Sequence, residues 1–107
     1  MKFLNLTPHP LRIHNTHGKV VVLPPEGTIA RVSVRRNAPD CLGDMDIYVP
    51  RYSDTVGLPG RINDTILIVS AMVRMACYTR EDVMSPGELI RDKEGNVIGC
   101  RGLDANE

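Results

Sequence analysis

Residues 65–76 are predicted to form a short apolar strand that runs directly into a helix, and this junction constrains the fold most strongly. Residues 66–69 are four consecutive apolar β-formers, which predicts a buried strand. Ser70 stands where a helix N-cap is expected. A strand that ends in a helix N-terminus directs backbone N–H groups and the positive end of the helix dipole toward one place. That place can hold a phosphate or carboxylate, or it can be an ordinary core junction.

The length and the side-chain composition limit the size of the core. A chain of 107 residues is enough for one domain, so we predict a single domain over residues 1–107. The chain has one Phe, three Tyr and no Trp, so Ile, Val, Leu and Met have to fill the interior. Because a small domain of this kind buries little apolar surface alone, we expect a homo-oligomer.

The charge balance and the cysteine content limit which binding partners and which cellular compartment are expected. Thirteen basic residues balance thirteen acidic ones, which excludes the broad positive field of non-specific nucleic-acid binding. Ten of the basic residues are Arg, whose planar fork suits carboxylate or phosphate, although Arg is also typical of GC-rich genomes. Three widely spaced cysteines favour a reducing cytoplasm. Residues 1–6 lack the pattern of a signal peptide, and no apolar run approaches the ~20 residues of a membrane span, so we expect neither a signal peptide nor a membrane partner.

Alternating apolar and polar residues predict a series of short strands. We expect strands over residues 3–6, 11–15, 19–23, 28–35 and 45–50, with the second and third paired as a hairpin. Irregular or loop structure is expected over residues 36–43 and 51–64.

The second half of the chain is predicted to contain one helix and a second hairpin. The helix is expected to end at Tyr78 or Thr79, and its nearly uniform apolar character predicts burial on more than one side. A turn is expected at residues 85–87, hairpin strands at 89–91 and 97–101, and a frayed end at 104–107. The predicted fold class is α+β, with a mostly antiparallel sheet or open barrel and one buried helix.

The histidines and possible nucleophiles do not form a complete catalytic or metal set. His9, His14 and His17 lie close together in sequence, but no nearby Cys or acidic residue completes a zinc site, so no metal or other cofactor is predicted. His9 lies between two prolines, which suits a positioned side chain but also simply ends a strand. Ser70 lacks a Gly-x-Ser-x-Gly context, and no strict phosphate-loop motif is present. The pattern favours a protein that is not an enzyme, without deciding the question.

A looser anion-binding site is predicted around the helix start. The candidate ligand-binding residues are His9, Arg61, Ser70, Arg80 and Asp82, with the arginines as phosphate forks and Ser70 as the N-cap. In the alternative interpretation the arginines are solvated or pair with Asp54, Asp64 and Asp82 at the surface, where such pairs stabilise the fold by only ~0–1 kcal/mol.

Several short motifs occur in one order and together span most of the chain. They are Asn5-Leu6-Thr7-Pro8-His9, residues 23–32, Gly57-Leu58-Pro59, residues 65–70, Arg80-Glu81-Asp82-Val83 and Pro86-Gly87. In this ordered set the chain resembles a family of small proteins carried by tailed phages and prophages, particularly in bacteria of high GC content. The resemblance implies a genomic setting, with the host-cell cytoplasm as location, rather than a mechanism. The irregular segment 36–46 departs from the regular strand of such proteins, which argues against a binding site there.

A phage setting suggests counter-defence, in which small proteins sequester nucleotide-derived immune signals without chemistry. The Arg-rich composition and the missing enzyme motifs favour this function, so we predict a module that binds a phosphate-bearing small molecule. One alternative is a protein-binding module that inhibits a host enzyme or assists phage assembly. Another is a small hydrolase that uses His9 with a carboxylate such as Asp82.

Overall fold

The computed structural model describes residues 1–107 and contains ten strands and one helix. The elements are β1 (Lys2–Asn5), β2 (Leu11–His14), β3 (Val20–Leu23), β4 (Val34–Arg36), β5 (Asp40–Leu42), β6 (Met45–Ile47), β7 (Pro50–Tyr52), β8 (Thr65–Ile68), α1 (Ala71–Ala76), β9 (Val83–Arg91) and β10 (Val97–Ala105). Strands dominate and the helix is short, which confirms the predicted α+β class. No helix is long and apolar enough to cross a membrane.

Six strands form one curled sheet in the order β1-β8-β9-β10-β2-β3. The pairs β1–β8, β8–β9 and β10–β2 are parallel, whereas β9–β10 and β2–β3 are antiparallel. The two edge strands approach each other where the backbone N–H of Glu26 donates to the carbonyl of Asn5 at 2.8 Å. The result is a nearly closed, barrel-like sheet, as the sequence predicted, but with mixed rather than mostly antiparallel pairing.

Strand β8 is buried on both faces, because it separates two apolar clusters. The first cluster lies under the helix and consists of Leu6, Ala30, Leu67, Val69, Val73 and Val83. The second lies inside the curled sheet and consists of Ile13, Ile68 and Cys100, with Leu11, Leu23, Ile66 and Leu103 around it. Successive side chains of a strand point to opposite faces, so a strand with a core on each side needs an unbroken apolar run. This requirement explains the sequence of residues 65–69.

Helix α1 begins at the predicted N-cap but is shorter and more exposed than predicted. The backbone N–H of Val73 donates to Ser70 Oγ at 3.3 Å, and the helix ends at Ala76 instead of Tyr78 or Thr79. Val73 is its one buried residue, while Met72 and Met75 are 43% and 59% exposed. Burial of the helix on more than one side is therefore not observed within this chain, because only Val73 enters the core cluster.

The two ends of the β9–β10 hairpin differ from the prediction. Residues 85–87 lie within β9 rather than in a turn. Pro86 is tolerated because β8 pairs with β9 only up to Met84, which leaves Pro86 with a strand on one side. The C-terminus is not frayed, since β10 continues to Ala105 and Asn106 Nδ2 donates to the carbonyls of Cys77 and Arg80 at 3.0 and 3.1 Å.

Residues 33–54 form a β-hairpin that projects from the sheet, and we call this hairpin the arm. Its stem pairs β4 with β7, its tip pairs β5 with β6, and Gly43 (φ 61°) opens the two-residue turn between β5 and β6. Every residue of the arm is exposed. The arm makes the molecule 52 Å long, with a radius of gyration of 16.6 Å instead of the roughly 13 Å of a compact chain of this length.

The arm replaces the predicted strands over 28–35 and 45–50 and the predicted irregular segment 36–43. Residues 28–33 contribute only a single bridge, between Arg31 and Val56, and β7 lies in what was predicted to be a loop. The arm strands are three residues long and exposed on both faces, so they carry no long apolar alternation from which their bounds could be predicted.

Candidate functional site

Ser70, the residue predicted to begin the helix, is the N-cap of α1 in the structure. Its hydroxyl accepts the hydrogen bond from Val73, and it follows the C-terminal end of β8 beside a shallow cleft of about 340 Å³ that also contains Pro8 and Arg31. The role of N-cap, predicted from the sequence, is what the geometry shows. Because α1 has only six residues, its dipole is small and Ser70 has no second anion-binding group from the helix.

Arg80 and Asp82 form a bidentate ion pair. Arg80 Nε donates to Asp82 Oδ1 at 2.8 Å and Nη2 donates to Oδ2 at 2.7 Å, while Nη2 also reaches the carbonyl of Pro59 at 3.2 Å. The hydrogen bond from Arg80 holds the pKa of the Asp82 carboxyl below its ordinary value, against the opposing effect of burial. The same hydrogen bond raises the pKa of Arg80. The fork of Arg80 is therefore filled by a carboxylate of the chain itself.

Arg61 lies in the same neighbourhood as this pair. It lines a cleft of about 340 Å³ with Asp64, Thr65 and Asp82, and its positive charge contributes to the lowered pKa of Asp82. Asp64 in turn binds the N-terminal ammonium group at 3.0 Å. An anion in this cleft would meet one guanidinium group and the N-terminal ammonium group, but also two carboxylates that already pair with cations of the chain, which is a weak arrangement for phosphate.

His9 lies apart from these residues in an exposed turn. Its backbone carbonyl accepts hydrogen bonds from Asn5 Nδ2 at 2.8 Å and from Thr7 Oγ1 at 3.1 Å, whereas its imidazole makes no hydrogen bond within the chain. The structure thus brings Arg61, Arg80 and Asp82 together, and it places Ser70 and His9 elsewhere. The proposed ligand contacts of these five residues stay a prediction.

The thiols and the histidines do not gather into a reactive group. Cys41 is exposed on the arm, Cys77 is half-buried beside the helix, and Cys100 is buried in the sheet interior. Burial raises the pKa of the Cys100 thiol, which lowers its nucleophilicity. No group of three or more His, Cys, Asp or Glu side chains is placed to hold a metal ion.

The open end of the curled sheet forms an apolar cleft of about 460 Å³. Its lining residues are Met1, Phe3, Ile13, Asn15, Val21, Leu23, Ile66, Met84, Gly102 and Leu103. No side chain among them is ionisable, so the cleft suits an apolar group and cannot neutralise a phosphate.

The arm is the most unusual surface of the molecule. Its exposed large apolar side chains are Val34, Leu42, Met45, Ile47, Tyr48, Val49 and Tyr52. Arg35 and Arg51 face each other directly across the stem, and none of the three ion pairs of the chain involves an arm residue. Exposed apolar groups and opposed like charges are both unfavourable in an isolated hairpin.

Sequence reasoning missed the arm, although one local signal was present. Gly43-Asp44 separates two short segments with β-forming residues, and a Gly-x pair is typical of a two-residue hairpin turn. The segment 36–46, in which no binding site is predicted, contains all of the arm tip except Ile47.

Comparisons with known proteins do not assign the site. No protein-family model matches the chain, and neither a curated protein nor a solved structure is significantly similar to it. The resemblance to a family of phage proteins therefore stays a prediction.

Proposed function

We propose that this protein is a protein-binding module and that the arm is its binding element. The observation that carries the proposal is the continuous exposure of residues 33–54, twenty-two residues that include seven large apolar side chains. This function corresponds to the alternative of an inhibitory or assembly protein. A phosphate-binding function has less support, because the fork of Arg80 is filled by Asp82.

The energetics of the arm favour binding to another chain. A two-stranded hairpin alone in water is marginally stable, and each of its outer edges presents unpaired N–H and C=O groups. A partner that covers one face or extends one edge of the arm would bury its apolar side chains and satisfy these groups.

The base of the arm is fixed to the body of the protein, which suits a rigid binding element. Arg31 and Val56 exchange two backbone hydrogen bonds of 2.8 Å just below the stem. Gly57 follows with φ of 81°, and a Cβ atom there would lie 2.4 Å from the carbonyl oxygen of Ile29. This close approach anchors the returning strand, so less conformational entropy is lost when a partner binds.

Site-specific photo-crosslinking tests the proposal. A photoreactive amino acid replaces Leu42 at the arm tip or, as a matched control, Lys93 in the exposed turn of the β9–β10 hairpin. In cells that produce the protein, we expect a cross-link to a protein chain from position 42 and none from position 93. No cross-link from position 42, or the same cross-links from both positions, would overturn the proposal.

A pair of arm substitutions tests the apolar contacts. Leu42→Asp with Met45→Asp should abolish the cross-link from a probe at Tyr48 and leave stability unchanged, because the two side chains are 73% and 68% exposed. Retention of the cross-link would show that these side chains do not contribute to binding.

A phosphate-bearing small molecule remains a second candidate ligand, with the cleft beside Arg61 as its place. Isothermal titration calorimetry with a panel of nucleotides and cyclic nucleotides tests it, with Arg61→Ala as the variant that should lose binding. No heat at millimolar ligand would end this idea. The hydrolase alternative, which needs His9, would be refuted by a His9→Ala variant with full activity in cells.

A further inference from the structure

Most charged side chains of the arm are separated by sign along its length. The stem strands carry Arg35, Arg36 and Arg51, with Asp54 at the base of the arm in the same cleft as Arg35 and Arg51, and the tip carries Asp40, Asp44 and Asp46. The arginines of the stem and the aspartates of the tip are equal in number and opposite in charge, and neither set makes an ion pair within the chain.

The separation is close to symmetric about the middle of the arm. The ladder is interrupted there, because three residues (37–39) on one strand face two residues (48–49) on the other. Arg36 and Asp40 lie two residues on either side of position 38 along the first strand. Arg51 and Asp46 lie two residues on either side of the pair 48–49 along the second.

A pattern of this kind is self-complementary under a two-fold rotation. If two arms lie antiparallel with their midpoints together, the stem of each meets the tip of the other, and each Arg group faces an Asp group. An isologous interface has this property, since the same patch is used by both subunits. An acidic partner would match only the stem and would be repelled by the tip, and a basic partner would match only the tip.

We propose that the arm binds the arm of a second copy of this chain in this antiparallel arrangement. The proposal rests on the function proposed above and names its partner. Tyr48 and Val49, which are 43% and 61% exposed at the midpoint, would meet near the two-fold axis. The like-charge pair Arg35–Arg51 would then be neutralised by the partner's tip.

Charge reversal in two complementary variants tests the arrangement. The stem variant carries Arg36→Glu and Arg51→Glu, and the tip variant carries Asp40→Lys and Asp46→Lys. Sedimentation velocity of the 107-residue chain should show a dimer for the wild type and a dissociation constant at least about 100-fold higher for each variant alone. An equimolar mixture of the two variants should restore the dimer, because the stem of each then matches the tip of the other.

A variant with all four reversals tests whether the loss of dimerisation in the other two variants is caused by a loss of folding. It has an acidic stem and a basic tip, so it should dimerise like the wild type and should not pair with it. The antiparallel arrangement would be overturned if the stem variant and the tip variant each dimerise as tightly as the wild type. It would also be overturned if their mixture fails to dimerise. A disulfide between the Cys41 residues of two copies under mild oxidation would also overturn it, because the two tips are far apart in this arrangement.

The outcomes separate this inference from the proposed function. If the wild type is monomeric at its highest soluble concentration and the probe at Leu42 cross-links a different protein, the inference is wrong and the function stands. If the wild type is monomeric and no cross-link forms, both are wrong.

Discussion

The Arg80 guanidinium group and the Asp82 carboxylate are joined by two hydrogen bonds, with Nε–Oδ1 and Nη2–Oδ2 distances of 2.8 and 2.7 Å. The pair connects the turn after α1 to the start of β9, and the additional bond from Arg80 to the carbonyl of Pro59 attaches the preceding loop. Asp82 is 8% exposed, so solvent screens the pair only weakly. The pair is a structural clamp at the start of β9, which lies between β8 and β10 in the sheet.

Replacement of Asp82 by Asn should lower the free energy of unfolding by about 1–3 kcal/mol at neutral pH. Because Arg80 lowers the pKa of Asp82 in the folded state, the carboxylate stabilises the fold above its unfolded pKa of about 4 and loses this effect as the pH falls through the lower folded value. The difference between wild type and Asp82→Asn should therefore shrink below about pH 4. Urea unfolding at several pH values measures it.

The control for this experiment is Glu81→Gln, since Glu81 is the exposed neighbour and forms no ion pair. Its stability should follow that of the wild type within about 0.5 kcal/mol. An Asp82→Asn variant whose deficit is the same at pH 7 and pH 3 would contradict the ion-pair explanation.

Ser70→Ala should destabilise the protein by about 1 kcal/mol, because the N–H of Val73 loses its capping oxygen. Ser70→Asp supplies another capping oxygen and should retain most of the stability. Thermal and urea unfolding compare the three proteins. If alanine and aspartate are equally destabilising, the hydroxyl of Ser70 does something other than cap the helix.

Asn5→Ala should cost about 2–4 kcal/mol, since the buried Asn5 side chain makes four hydrogen bonds. Its Nδ2 donates to the carbonyls of His9 and Leu23 at 2.8 and 3.0 Å, and its Oδ1 accepts from the backbone N–H and hydroxyl of Thr7 at 3.0 and 2.6 Å. These bonds hold the edge strands β1 and β3 together. His9→Ala is the matched control, because only its backbone takes part, and equal loss in both variants would refute this account.

Gly87→Ala should cost more than about 2 kcal/mol or prevent folding. A Cβ atom at Gly87 would lie 2.1 Å from the carbonyl oxygen of Arg101, which is backbone of the neighbouring strand β10 and cannot rotate away. Gly60→Ala is the control, since a Cβ there meets open space and should leave unfolding unchanged within about 0.5 kcal/mol. Equal chemical-denaturation midpoints for the two variants would show that β9 and β10 separate easily at this point.

The candidate site was only partly predictable from the sequence. Arg80 and Asp82 are two residues apart in sequence, so the sequence allows either a free Arg80 that binds phosphate or an Arg80 that pairs with a carboxylate. The structure contains the ion pair. Arg61 joins them only because the loop before β8 folds back beside Asp82. Ser70 and His9 are predicted to join these residues only because of their chemical type. Chemical type gives no information about the distance between residues in space.

The sequence by itself determined the elements whose signals are local. Ser70 as N-cap, the β2–β3 hairpin and the turn of the β9–β10 hairpin follow from capping chemistry and side-chain alternation, which act over a few residues. Tertiary structure alone decided that Lys2–Asn5 lies parallel to Thr65–Ile68, and that Pro86 continues a strand instead of ending it. It also decided that the arm remains exposed instead of packing against the body. These outcomes depend on which distant segments pack together, and the period of a short segment carries no information about its neighbours in space.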